Sequence, residues 1–296
     1  MGVQIPITQT FLLPDGREVI METGKLAAQA HGSAMIRLGD TMLLATVVSN
    51  KEAKEGQPFF PLSVDYQEKF ASVGRVPGNF FRRETRLSDY EILISRLVDR
   101  AVRPLFPDGY MNETQIIINL ISADKDIMPD ALAALAASTA LSVSDIPWDG
   151  PISEVRVARI DGQFVVNPGR EALATADLDV IIAATIKDIM MVEGEANECS
   201  EHDLIEAIRI GHDAIKVQCQ AQIDLAKKVG AKATQKRVLA EAPSDDDLKK
   251  VIDQFSRQRI LEISKGALEK SVRKEGFDTI KKELVAKLTE EKGEEY

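Results

Sequence analysis

The stretch TQIIINLISA, residues 114–123, followed by DALAALAASTALSV, residues 130–143, decides the fold of this chain. The first stretch is short, rich in β-branched residues and without helical periodicity, so it predicts a buried central strand. The second is rich in alanine and predicts a helix, with Pro129 in its first turn, where proline is favoured. Together they predict a sheet that is covered by helices.

Turns of the hairpin kind stand on both sides of this strand and helix. Apolar segments flank Pro14-Asp15-Gly16, Leu38-Gly39-Asp40 and Asp161-Gly162, and each such pair of segments predicts two antiparallel strands. Residues 179–184 and 188–195 predict two more strands.

A long helix closes this part of the chain. Ser200 and Asp203 have the spacing of a capping box, and the helix that they open ends near Gly230. Its apolar face is predicted to hold Leu204, Ile208, Gly211 and Ile215. Residues 1–230 are therefore predicted to form one layered α+β domain.

The composition changes after Gly230. Residues 231–242 predict a polar linker, and residues 243–296 predict a small all-helical domain. In that domain apolar residues keep helical spacing with charged residues between them (Leu248, Ile252, Phe255, Phe277, Ile280, Leu284 and Leu288).

Charge and cysteine content narrow the class of protein. The 296-residue chain carries a formal net charge of −10, which argues against a protein that coats nucleic acid nonspecifically. Cys199 and Cys219 fit neither a paired metal site nor a dense disulfide framework. Without an export signal or an apolar run of membrane-spanning length, the sequence predicts a cytoplasmic protein with no membrane contact.

One positive island interrupts this acidic chain. From Arg75 to Arg103 the sequence has seven arginines, no lysine and four acids, so the segment carries +7 − 4 = +3. Its first part is the loop GRVPGNFFRRETR, residues 74–86. The planar guanidinium group of arginine can donate two hydrogen bonds to one phosphate, and aromatic rings can stack on bases. This loop therefore predicts a groove for single-stranded nucleic acid. The candidate residues are Phe80, Phe81, Arg82, Arg83 and Arg86.

Other interpretations of the island remain open. A Phe-Phe pair is more often part of a core than a ligand platform. Arg96, Arg100 and Arg103 share one face of a predicted helix over residues 89–102, opposite a second face (Tyr90, Ile94, Leu97 and Ala101). Alone, that basic face fits a solvated stripe paired with acids; joined to the loop, it predicts a secondary path for phosphates.

The sequence also resembles a known family. GRVPGNFFRRETRLSDYEILISRLVDRAVRPLFP, residues 74–107, closely resembles the first RNase PH-like core of bacterial polynucleotide phosphorylase, and flanking blocks match in the same order. The resemblance implies an RNase PH-like core followed by the helical domain that joins the family's two cores. It also implies that Phe80, Phe81, Arg82 and Arg83 line the entrance of a central channel for single-stranded RNA.

The activity that this resemblance implies is 3′-to-5′ phosphorolytic degradation of RNA and mRNA by a homotrimeric ring. Inorganic phosphate would be the co-substrate, Mg²⁺ the cofactor, and an RNA-degradation complex a possible partner. The second core and the C-terminal RNA-binding modules have no counterpart in this sequence, so an N-terminal half of the enzyme is expected.

The catalytic groups of the family's active core are not matched here. That core has a run of serines at a strand-to-helix turn and two aspartates with five residues between them. This sequence has DIMPD, residues 126–130, at the turn, and Glu171 with Asp177 as a degenerate carboxylate pair. We therefore expect a core without catalytic residues or a metal site. The alternative from another class is a stand-alone, non-catalytic RNA-binding or assembly module.

Overall fold

The computed structural model describes residues 5–78, 84, 86–239 and 245–293. The chain divides into two compact units, Met1–Leu239 and Ala240–Tyr296. The first unit contains two sheets with a helix between them, and the second contains helices.

Six strands form the larger sheet in the order β1-β2-β3-β4-β6-β5. All neighbours are antiparallel except β5 and β6, which are parallel. Helix α1 lies between β5 and β6 in the chain, because parallel neighbours need a long crossover connection. The bounds are β1 Ile7–Leu12, β2 Glu18–Thr23, β3 Gly32–Leu38, β4 Thr41–Ser49, β5 Leu62–Glu68, α1 Asp89–Val102 and β6 Thr114–Ser122.

Strand β6 corrects one expectation. It is an interior strand, paired with β4 and β5, as predicted. It is not buried on both faces: Ile116 and Ile118 are fully buried on the inner face, whereas Ile121 on the outer face is 42% exposed. Continuous apolar runs are typical of strands that are covered on both faces. The apolar run of β6 therefore predicted more burial than the strand has, because its outer face is partly exposed.

Helix α2, Asp130–Ser142, is the centre of the first unit. Every residue from Asp130 to Leu141 is buried, and the helix packs on β3 and β4 of the larger sheet and on a strand of the smaller one, β7, Ser153–Ile160. Alanine side chains permit this close approach on all sides. At the tightest point a Cβ atom on Gly32 would lie 2.0 Å from the backbone oxygen of Ala140, so only glycine fits there.

The smaller sheet has four antiparallel strands in the order β10-β9-β7-β8. Asp161 and Gly162 join β7 to β8 with φ values of +49° and +76°, the backbone that Asp-Gly favours in two-residue hairpins. The capping box of Ser200 and Asp203 is confirmed, with both reciprocal hydrogen bonds present. The bounds are β7 Ser153–Ile160, β8 Gln163–Val166, α3 Arg170–Leu173, β9 Leu178–Ala184, β10 Ile189–Ala196 and α4 Glu201–Val229.

Residues 231–239, predicted as part of a linker, belong to the first compact unit. They begin with the short helix α5, Ala231–Thr234. Lys236 Nζ then donates to the backbone oxygens of Leu141 (3.3 Å) and Ser144 (2.7 Å), at the end of α2. Polar composition suggested a linker, but the Lys236 side chain binds backbone oxygens at and just beyond the C-terminal end of α2, where a positive charge is favoured.

The second unit contains helices α6, Asp246–Lys265, and α7, Lys270–Lys292. The two helices pack against each other, with Ile280 buried and Arg259 paired with Glu283. Ile252, predicted on the apolar face, is 37% exposed. Across both units, the described helices include none whose length and apolarity would suffice to span a membrane.

Candidate functional site

The basic loop, residues 74–86, follows β5 after a short turn. A 3₁₀ turn, Phe70–Val73, follows the strand, and Gly74 then takes a left-handed conformation with φ +66°. The Arg75 N–H donates to the Phe70 oxygen at 3.0 Å. At the far end of the loop, Glu84 Oε1 accepts a hydrogen bond from the Phe70 N–H at 2.7 Å. Both ends of the basic loop therefore meet at Phe70.

Four of the predicted RNA-binding residues, Phe80, Phe81, Arg82 and Arg83, lie outside the described residues. Arg86, the fifth, is exposed near the end of the loop. Their role in RNA binding stays a prediction.

Arg103, predicted on the secondary basic face, is engaged inside the first unit. Its guanidinium donates to Asp99 at 2.7 and 2.9 Å and to the backbone oxygens of Phe60 and Leu62, both at 3.1 Å. It also lies 5.7 Å from the centre of the Phe60 ring. Most of its donors are thus occupied, and they tie the end of α1 to the start of β5.

The other two arginines of that face are more accessible. Arg100 pairs with Glu193 of β10, and both side chains are about half exposed. Arg96 is exposed, and within residues 5–78, 84, 86–239 and 245–293 it forms no ion pair. The predicted apolar face of α1 is buried at Ile94, Leu97 and Ala101, whereas Tyr90 is 37% exposed. The three arginines share a helix side but have different surroundings.

The turn after β6, residues 126–130, is where the resemblance implies a phosphate-binding run of serines. Here the Asp126 carboxylate faces the start of α3 and accepts from the Glu171 N–H at 3.4 Å. The Asp126 backbone oxygen accepts from the Arg170 N–H at 2.9 Å. A Cβ atom on Gly169 would lie 2.2 Å from Asp126 Oδ2, so the carboxylate fills this space. A fixed negative charge there opposes phosphate binding.

The degenerate carboxylate pair does not fit Mg²⁺. Asp177 accepts two hydrogen bonds from Arg159, at 2.8 and 2.9 Å, and these hold the pKa of Asp177 below its usual value. Glu171 is exposed in the single turn of α3. Among the described residues, no three His, Cys, Asp or Glu side chains are grouped for a metal ion. Because the Asp177 carboxylate already accepts hydrogen bonds from Arg159 on both oxygens, we derive no metal-dependent step at this pair.

A buried ion network lies beside the same turn, and sequence reasoning missed it. Arg156 of β7 pairs with Asp130 at the start of α2, and also with Asp179 of β9 at 2.5 and 2.6 Å. The Arg156 side chain is only 13% exposed. Burial lowers its pKa, but Asp130 and Asp179 more than offset this, so the pKa is raised overall. The only signal in the sequence was the three charged residues, Glu154, Arg156 and Arg159, within the otherwise apolar strand SEVRVARI.

Glu154 lies in the same strand, two positions before Arg156. It is 1% exposed, and its Oε2 atom finds no hydrogen-bond partner among the described residues. Burial raises the pKa of this carboxyl well above its ordinary value of 4.5, and the charge of Asp130 raises it further, while Arg156 opposes the shift. Glu154 therefore keeps its proton at pH values where an exposed glutamate has lost it.

A cavity of about 530 Å³ opens between α3 and the smaller sheet. Its polar lining includes Arg170, Asp177, Asp179, Glu195 and Asn197. With three acids and one arginine, this lining does not favour an anion such as phosphate or RNA.

Comparisons with known proteins place the chain in a family. The first domain of the 3′ exoribonuclease family, RNase PH, matches residues 15–147, and the second domain matches residues 150–214. A polyribonucleotide nucleotidyltransferase of Cytophaga hutchinsonii is 54% identical over 283 residues, covering 95% of this chain and 39% of the relative. One of Bacteroides fragilis is 54% identical over 291 residues, covering 98% of this chain and 41% of the relative.

The chain thus spans about two fifths of the length of these curated relatives. A solved structure described as the Archaeoglobus fulgidus exosome with RNA bound to the active site aligns with a TM-score of 0.52 and 18% identity. The alignment covers 69% of this chain and 89% of that one. At this identity the likeness concerns the fold alone.

Proposed function

The chain belongs to the 3′ exoribonuclease family of RNase PH proteins, and from this premise we propose that it forms the first core and the helical region of a polyribonucleotide nucleotidyltransferase. The complete enzyme would shorten RNA from the 3′ end. In that reaction an oxygen of inorganic phosphate attacks the terminal phosphodiester, the 3′ oxygen of the preceding nucleotide leaves and takes a proton, and a nucleoside diphosphate is released.

Within that enzyme, this first core guides RNA and does not carry out the chemistry. The observation that supports this most directly is the Asp126 carboxylate, which fills the space at the start of α3. Asp177, bound to Arg159, is likewise unsuited to hold Mg²⁺. Mg²⁺ would neutralise charge on the attacked phosphoryl group, and we assign both it and the phosphate site to the second core.

RNA guidance is assigned to the basic loop. Arg75 and Arg86 are exposed at its two ends, in an otherwise acidic chain. Phe80, Phe81, Arg82 and Arg83 supply the stacking and phosphate contacts of this proposal, and Arg96 extends the path along α1. We further propose that the complete enzyme is a cytoplasmic homotrimer whose subunits form a ring around the RNA strand. We propose that this trimer works within an RNA-degradation complex.

The first test is phosphorolysis by this chain alone. With poly(A), inorganic phosphate and Mg²⁺, we expect no release of ADP above a no-enzyme control, because the Asp126 carboxylate opposes phosphate at the turn after β6 and Asp177 is bound to Arg159. A full-length relative, assayed in parallel, is the positive control. Phosphate-dependent ADP release by a preparation free of contaminating nuclease would refute the assignment of chemistry to the second core.

The second test measures RNA affinity against salt concentration. Replacing Arg82 and Arg83 by alanine should weaken binding of single-stranded RNA about equally across sequences. The slope of log affinity against log salt should become shallower by about 1.4, at about 0.7 for each lost phosphate contact. A slope identical to that of the unmodified chain would exclude these arginines from phosphate binding.

A further inference from the structure

We propose that Glu84 and Glu91 are positioning residues for RNA binding. Through backbone hydrogen bonds, the Glu84 carboxylate holds the end of the basic loop at Phe70, and the Glu91 carboxylate holds the start of α1 at Glu68. The inference rests on the proposed function of the loop. It adds two acidic residues to a site that was assigned only from its arginines and aromatic rings.

Glu84 closes the loop onto the end of β5. Its Oε1 atom accepts from the Phe70 N–H at 2.7 Å, across fourteen positions of sequence. Phe70 also accepts from the N–H of Arg75, the first arginine of the loop, at 3.0 Å. One residue of the 3₁₀ turn therefore fixes where the loop begins and where it returns. The turn itself is fixed to the sheet, since the Ala123 N–H donates to Ser72 O at 3.1 Å.

Glu91 makes the corresponding connection at the start of α1. Its Oε1 atom accepts from the Glu68 N–H at 2.7 Å, and its Oε2 atom accepts from the Ser88 N–H at 2.7 Å and the Ser88 hydroxyl at 2.8 Å. An ordinary capping box needs only the contact with the N-cap residue. The additional bond to Glu68 ties the helix start to the last residue of β5.

These acids stand among arginines that are assigned to bind phosphates, where their charge alone opposes RNA. Removal of either carboxylate should, by electrostatics, strengthen RNA binding. Their hydrogen bonds have the opposite effect, because a loop whose ends are already fixed loses less conformational entropy when RNA binds. The sign of the change in affinity therefore separates positioning from simple charge.

Glu84 offers the cleaner test, because Glu91 also caps a helix. In the full 296-residue chain, Glu84→Ala removes the acceptor and the charge, whereas Glu84→Gln removes the charge and keeps an oxygen acceptor. Affinity for a fluorescent 20-nucleotide poly(A) is measured by anisotropy. We expect about tenfold weaker binding for Glu84→Ala, from the loss of a charge-assisted hydrogen bond. Glu84→Gln should bind at least as tightly as the unmodified chain.

Glu52→Ala is the matched control, because Glu52 is an exposed acid whose removal changes net charge equally. Denaturant melts on each variant correct the affinities for the folded fraction. The inference would be overturned if Glu84→Ala bound RNA as tightly as Glu52→Ala does. It would also be overturned if Glu84→Ala and Glu84→Gln lost the same amount of RNA affinity. The double variant of Arg82 and Arg83 separates the two proposals. If the double variant binds RNA normally, the assignment of RNA binding to the basic loop fails. If the double variant loses RNA affinity and Glu84→Ala does not, only the positioning role of Glu84 fails.

Discussion

Glu154→Gln should abolish one component of the pH dependence of stability. The carboxyl of Glu154 is buried, one of its oxygens has no hydrogen-bond partner in the part of the chain that the structure describes, and burial raises its pKa well above 4.5. Between pH 4.5 and that raised pKa, the folded chain binds a proton that the unfolded chain has released. Stability therefore falls as pH rises through this interval, by about 1.4 kcal/mol per pH unit for one proton. Below pH 4.5 both states are protonated, and the contribution is fully present.

Glutamine keeps the volume of the side chain and cannot ionise, so the variant lacks this slope. Its stability advantage over the unmodified chain should be smallest near pH 4.5 and should grow as pH rises. Urea denaturation at half-unit steps from pH 4.5 to 8, followed by circular dichroism, measures the difference. Glu52→Gln, at an exposed position, is the control. Parallel stability curves for Glu154→Gln and the unmodified chain would refute the assignment of a protonated buried carboxyl.

Two further predictions concern the basic loop and the central helix. If Phe80 and Phe81 stack on bases, each Phe→Ala change should cost about 1 to 3 kcal/mol of RNA affinity per stacked base with little loss of stability; if they are core residues, each should cost about 3 to 5 kcal/mol of folding stability instead. Gly32→Ala places a Cβ atom 2.0 Å from a backbone oxygen of α2, so the helix must shift, at a cost of about 1 to 3 kcal/mol by denaturant titration. Gly78→Ala should leave stability nearly unchanged, because no atom of the described residues lies within 4 Å of the added Cβ. Equal losses for the two glycines would contradict the packing of α2.

Local signals in the sequence were enough to predict most helices and strands. Helix α1 begins and ends where expected, at Asp89 and Val102, because Ser88 caps it and Pro104 follows its last turn. The hairpin at Asp161-Gly162 is set by residues that adopt positive φ at low cost. The resemblance to the RNase PH family is confirmed by the domain matches.

The sequence by itself thus determined the elements and the family, since turns, caps and periodicity depend on residues a few positions apart. Only the tertiary structure decided what the charged side chains do. Arg103 binds backbone oxygens some forty positions earlier in the chain, and Asp126 fills a space in front of a helix that starts at Arg170. Arg156, unnoticed in the sequence, neutralises acids on two other elements. Whether a charge is free for RNA or phosphate depends on such distant neighbours, because Coulomb and hydrogen-bond energies follow distance in space and not separation along the chain.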